Sequence, residues 1–152
     1  MLGAAQAALG LDGRETPLGA VRWPAGWELG AVFASPDGQH LALRLDGTGT
    51  AAKDHDLWVM KLDGQGLARF TSTQMSTYAV WSPDSRYLAF NKDTGASCSE
   101  AACRGDCKLW YAPATARNIV AVEASRDAWP FVIRDTRGSA MPLGCQLLAW
   151  TP

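Results

Sequence analysis

One phrase occurs twice in this sequence and begins a third time. Ala79-Val80-Trp81-Ser82-Pro83-Asp84-Ser85-Arg86-Tyr87-Leu88-Ala89-Phe90 repeats Phe33-Ala34-Ser35-Pro36-Asp37-Gly38-Gln39-His40-Leu41-Ala42-Leu43, and Leu148-Ala149-Trp150-Thr151-Pro152 starts it again. Each full copy reads as strand, tight turn, strand. Val80 and Trp81 favour strands, and Tyr87 to Phe90 resume an apolar run. Pro36 and Pro83 preset φ for the first corner of a type I turn. The short polar side chains of Ser35, Asp37, Ser82 and Asp84 can bond nearby backbone. Self-similarity at such a period constrains the fold more than any single element, because each unit buries its apolar face by stacking on a neighbour.

The repeat extends past the turn. Leu57-Trp58, inside Asp56-Leu57-Trp58-Val59-Met60, matches Leu109-Trp110, inside Lys108-Leu109-Trp110-Tyr111-Ala112. Each copy therefore holds a strand, a Ser-Pro-Asp turn, a second strand, a variable loop and a third strand carrying Leu-Trp. A fourth strand is expected at Leu67 to Thr71, entered through Asp63-Gly64-Gln65-Gly66, and at Asn118 to Val122. Four antiparallel strands per unit of about 45 residues is the arithmetic of a propeller blade. The expected fold class is all-β, a partial β-propeller of four-stranded antiparallel blades. Residues 1–26 are an N-terminal arm, 27–76 blade one, 77–123 blade two with a Cys-rich loop at 91–107, and 124–152 an insertion followed by the first strand of a third blade. The insertion shows in the spacing: Ala34 to Trp81 is 47 residues, Trp81 to Trp150 is 69. Within it Phe131-Val132-Ile133 reads as a strand and Asp135-Thr136-Arg137-Gly138 as a turn, either an insertion hairpin or a fourth strand folded back. Two blades do not close a ring of four to eight. The expectation is a piece of a larger ring, or open strand edges completed by another copy or another chain.

The phrase Trp81-Ser82-Pro83-Asp84 with its Leu-Ala-Phe strand, and the run Leu57-Trp58-Val59-Met60-Lys61-Leu62-Asp63-Gly64, resemble the WD40-like repeat of TolB-type β-propellers. The resemblance covers roughly residues 27 to 123 and the last five. It implies blades that serve as binding platforms, as gates on prolyl-oligopeptidase-like enzymes or as parts of envelope assemblies.

Seven tryptophans are many for 152 residues. Trp58, Trp81, Trp110 and Trp150 fall at repeat positions and are expected to wedge between blades. Trp23, Trp27 and Trp129 lie outside the repeat and keep open an aromatic binding face. Fourteen basic and fifteen acidic residues nearly cancel, which argues against a nucleic-acid partner. No apolar run approaches the length of a membrane span. At the N-terminus, Ala5-Gln6-Ala7 fits a small-x-small cleavage pattern without a charged n-region, so Met1 to Gly10 reads as a signal remnant or a short Ala-rich helix.

Cys98, Cys103 and Cys107 crowd a polar loop, and Cys145 stands apart. The spacing differs from the paired C-x₂-C of zinc ribbons. An even count in an irregular loop points to two disulfides and an oxidising compartment, in accord with the envelope setting that the resemblance implies. A Cys₄ zinc site and four reduced thiols are the alternatives. No nucleophile elbow, H-E-x-x-H or phosphate loop is present. His40 occupies the place of Tyr87 and reads as a blade surface residue. His55, in Lys53-Asp54-His55-Asp56, has no signposted catalytic partner. Calcium at 54–56 lacks any EF-hand-like spacing. Asp37 and Asp84 are expected to cap backbone N–H groups of their turns. No catalytic residue, cofactor or metal is assigned.

The expected function is a non-enzymatic protein-interaction module, periplasmic or secreted, with His55 and Trp129 as candidate partner contacts. It would bind a protein partner, or itself through open strand edges. The alternatives are the substrate-gating propeller portion of a prolyl-oligopeptidase-like serine peptidase, or a glycan or small-ligand binder.

Overall fold

The computed structural model describes residues 6–9, 15–18, 21–93, 98–99, 102–103, 107–122, 124–141 and 149–151, with backbone alone at 6–9, 15–18, 98–99, 102–103, 107, 133 and 141. The fold is all-β, and its centre is a pair of four-stranded antiparallel sheets, the architecture of a partial β-propeller. The first sheet, blade one, pairs β3 (Trp27–Ala34), β4 (His40–Gly47), β5 (His55–Lys61) and β6 (Ala68–Arg69) in chain order. The second, blade two, has the order β7 (Ala79–Trp81), β8 (Tyr87–Asp93), β11 (Cys107–Pro113) and β12 (Trp129–Pro130). Three two-stranded hairpins lie outside the blades: β1 (Gln6–Leu9) with β2 (Glu15–Leu18), β9 (Cys98–Ser99) with β10 (Ala102–Cys103), and β13 (Ile133–Arg134) with β14 (Ala140–Met141). Among the described residues no helix is long and apolar enough to cross a membrane.

Alternation along the strands decides which side chains face the next sheet. Ala42, Leu57 and Val59 of blade one meet Trp81, Leu88, Phe90 and Trp110 of blade two in one buried cluster, with Phe70 and Phe90 edge to face at 5.6 Å. The opposite face of blade one, Leu41, Leu43, Leu45 and Met60, packs under Val21, Trp23, Trp27, Leu29 and Trp58. Val21 and Trp23 of the arm, with Trp27, Leu29 and Trp58 of the blade itself, thus shield these apolar side chains from water, worth roughly 25 cal/mol per Å² covered. Trp23 and Trp27, outside the repeat, are half-buried in this cap.

Two expectations are corrected. Gln6–Leu9 is a strand of a hairpin, which removes the Ala-rich helix. Asn118 to Val122 is not the outer strand of blade two. Its alternation is real: Ile119 and Ala121 are buried, whereas Val120 and Val122 are 52% and 45% exposed. Its partner, however, is blade one: Ile119 donates to the Phe70 carbonyl and accepts from Ser72, in a parallel bridge. Positive φ at Asn118 and Ala121 ends the extended run on both sides. The outer strand of blade two is Trp129–Pro130, and the segment after it turns at Asp135–Gly138 into the β13–β14 hairpin. The insertion therefore supplies both an outer strand and a hairpin. Proline suits an outermost strand, where no ladder N–H is needed.

Candidate functional site

The two Ser-Pro-Asp turns are the same structure. In blade one, Ser35 N–H donates to the His40 carbonyl at 2.9 Å, and His40 N–H donates to Ser35 Oγ at 2.9 Å. Ser35 Oγ donates to Asp37 Oδ1 at 2.5 Å, which also accepts Gln39 N–H at 3.0 Å. In blade two, Ser82, Tyr87, Asp84 and Arg86 repeat every bond, at 2.9, 2.9, 2.5 and 3.1 Å. Pro36 and Pro83 are exposed at the corners; Ser35 and Ser82 are buried. The donated hydroxyls and amides favour the carboxylate form, so both Asp37 and Asp84 sit below the ordinary value of 3.8, chiefly through Ser35 and Ser82.

The turns differ at three residues, and the first of these positions joins the blades. Gly38 has φ +68°, and Ser85 takes the same left-handed corner at φ +58°. A non-glycine there is strained. The Ser85 hydroxyl accepts the Asp37 N–H of the other turn at 3.1 Å. Beside it, the Trp81 indole N–H donates to the Phe33 carbonyl at 2.9 Å, leaving Trp81 6% exposed. Both contacts span the seam between the sheets and fix the walls of a cleft.

That cleft, about 560 Å³, opens at the turn end of the seam. Its floor is Val59 and Trp81, both buried in the seam. Lys61 ends β5 and Gly66 lies in the turn after it; Ser85 and Arg86 come from the blade-two turn and Tyr87 from the start of β8; Pro113 ends β11, with Ala114, Thr115 and Arg117 in the loop after it; and His40 starts β4. Arg117 is braced by donating Nη1 to the Ala114 and Ala116 carbonyls at 2.9 and 2.6 Å. Among the described residues, no carboxylate lines the cleft.

The other residues singled out by the sequence lie elsewhere. His55 is held in blade one rather than in a free loop: its Nδ1 is 2.8 Å from Asp46 Oδ1, which also pairs with Arg44, and its N–H donates to the Gln74 carbonyl. Gly30 sits at a register shift between Leu29 and Ala31, and a methyl there would collide with Asp46 and Arg44. Asp56 is fully buried and gathers Arg69 (2.6 Å), Thr71 Oγ1 (2.7 Å), and both the amide (2.9 Å) and the hydroxyl (3.2 Å) of Thr73, plus Gln74 N–H (3.1 Å). This carboxylate tethers the chain after β6 to β5. Trp58 is half-buried against Trp27, at 6.2 Å, with the Arg69 guanidinium over both rings. Trp110 is buried in the seam. Trp150 and Phe131 pack edge-on against Tyr111 at 6.2 and 6.1 Å, and Trp129, 41% exposed, lies 5.5 Å from the same ring. Cys98 and Cys103 are backbone partners in the β9–β10 hairpin, and Cys107 opens β11; their side chains and Cys145 lie outside the described residues. Among the described residues no three metal-ligating side chains converge.

The cleft cations escaped the sequence reading because they lie at 61, 86 and 117, on separate segments, and only the stacking of the blades brings them together. A weak sign existed: Lys61 and Arg86 each flank a residue of the repeat motif.

No family model and no curated protein matches the chain. Among solved structures, a chain from a structural and mechanistic study of two prolyl endopeptidases is similar over 71% of this chain, with 21% identity and a TM-score of 0.47. The match takes in 16% of that chain's length.

Proposed function

We propose that this chain is a non-enzymatic interaction module of TolB-like propeller blades that holds a segment of a protein partner in the inter-blade cleft. The observation that carries the reading is the cleft itself: about 560 Å³, with an apolar floor and polar walls, contributed by both blades. Its volume is in the range of roughly 300–1,000 Å³ typical of ligand sites. Its walls are preset by the Ser85–Asp37 and Trp81–Phe33 bonds, so little ordering cost falls on binding.

A random-peptide display selection against the folded chain tests this. Thr115 is an exposed rim residue, and Thr115→Trp fills the cleft without touching the core. Enriched peptides should bind the native chain and lose binding to Thr115→Trp. Failure to enrich, or binding indifferent to that substitution, contradicts the proposal.

A periplasmic or secreted location belongs to the same proposal, supported by the three cysteines at 98, 103 and 107 in a polar stretch. Intact mass after alkylation, with and without reductant, should count at least one disulfide in protein made in an oxidising compartment. Four free thiols there would contradict it.

A further inference from the structure

We infer that the cleft selects an acidic peptide segment carrying an apolar or aromatic residue. This rests on the proposed function and deepens it. Net charge does not foretell it, since fourteen basic and fifteen acidic residues almost balance. The balance is broken locally: Lys61, Arg86 and Arg117 line the cleft, with His40 beside them. The carboxylates nearest in sequence are bonded into their own turns, from which Asp84 still attracts Arg86 and Asp37 still attracts His40. Asp84 accepts from Ser82 and the Arg86 amide, Asp37 from Ser35 and the Gln39 amide, and Asp63 from the Gln65 amide. The cations are exposed on three separate segments, whereas Val59 and Trp81 form the floor between them. An occupant that satisfies both needs spaced negative charges flanking an apolar group. A small inorganic anion meets the first need and leaves the floor wet; an uncharged apolar peptide meets the second and brings the cations no carboxylate. Oppositely charged surfaces also steer encounter, in a salt-dependent way.

The test is calorimetric titration of the full chain with three synthetic hexapeptides: Glu-Asp-Phe-Glu-Asp-Glu, its Gln/Asn counterpart and its Lys counterpart, each with capped ends. The acidic peptide should bind at least tenfold more tightly than the amide peptide, weaken several-fold when salt is raised from about 50 to about 200 mM, and show no competition from inorganic phosphate at equal concentration. Lys61→Gln with Arg86→Gln removes two exposed cations without touching the floor and should lower affinity at least tenfold at unchanged melting temperature. Thr115→Trp should abolish the heat signal. Equal binding of the amide peptide would overturn the inference while leaving a peptide-binding module in place. Overturning results also include competition by phosphate, tighter binding of a short oligothymidylate, full affinity in the Lys61/Arg86 variant, or no binding of the acidic peptide.

Discussion

Blades one and two carry the same turn but different anchors. Every bond of the Ser35-Pro36-Asp37 turn recurs in Ser82-Pro83-Asp84, because the turn is determined by residues within a span of six. The polar anchors behind the turns do not recur. Blade one fastens the chain leaving β6 to the buried Asp56, paired with Arg69. The corresponding place in blade two is Lys108, and the anchor of blade two is instead Asn91 on β8, which holds the chain entering β7: its side-chain carbonyl accepts the amides of Thr77 and Tyr78, and its NH₂ donates to Thr77 Oγ1. A carboxylate and an amide thus hold opposite ends of the connection between the blades, one as a charge and one as a neutral group. The lesson is that a repeat conserves its locally determined corners and leaves long-range tethers free to change chemistry.

The comparison breaks most visibly at those anchors. Asp56→Ala removes the ion pair of Arg69 and the acceptor of four further donors, and should cost about 3–5 kcal/mol, the range for one-sided loss of a buried pair. Asn91→Ala should cost about 1–3 kcal/mol, from unpaired backbone N–H groups. Urea midpoints of both variants decide; an equal or reversed order would mean that Asp56 is no stronger an anchor than Asn91.

Gly38 and Ser85 sharpen the same comparison on a smaller scale. Gly38→Ala meets open space but forces a left-handed alanine, at about 1 kcal/mol. Ser85→Ala keeps the strain and loses the bond to Asp37, at about 0.5–1.5 kcal/mol. Ser85→Gly loses the bond and relieves the strain, so its melting temperature should stay near that of the native chain. A Ser85→Gly variant as unstable as Ser85→Ala would show that the strain is not felt.

The smallest effect is acid sensitivity, and both turns share it. Asp37 and Asp84 have depressed folded values. Their contribution is whole above the unfolded value near 3.8 and is lost as pH falls through the lower folded values. Urea midpoints at about pH 5 and about pH 3 should therefore fall less in the Asp37→Asn/Asp84→Asn double variant than in the native chain. An unchanged fall would contradict the turn assignment.

What was legible in the sequence follows the same division. The turns, the paired strands around them and the Leu-Trp strands could be read, since alternation and turn residues are written locally. The run at 118–122 had the right alternation and the wrong partner, because nothing local tells Ile119 to join Phe70 rather than Tyr111. Trp129–Pro130 could not be read, as two residues ending in proline carry no strand signal. The Arg44–Asp46–His55 cluster was half legible: Arg44 and Asp46 lie two apart on one face, but their union with His55 depends on the register Asp46↔His55 across the loop. The cleft cations depend wholly on how the sheets stack.

That stacking is the central claim, and the Trp81 indole reports it directly. Its N–H is buried in the seam and bonded to Phe33, whereas Trp129 is 41% exposed on the far side of blade two. Indole resonances assigned by Trp81→Phe and Trp129→Phe allow the hydrogen exchange of each to be followed in D₂O. The stacked-blade account predicts that the Trp81 N–H outlasts that of Trp129 by orders of magnitude, with loss only on global opening. Equal, rapid exchange at both would contradict it.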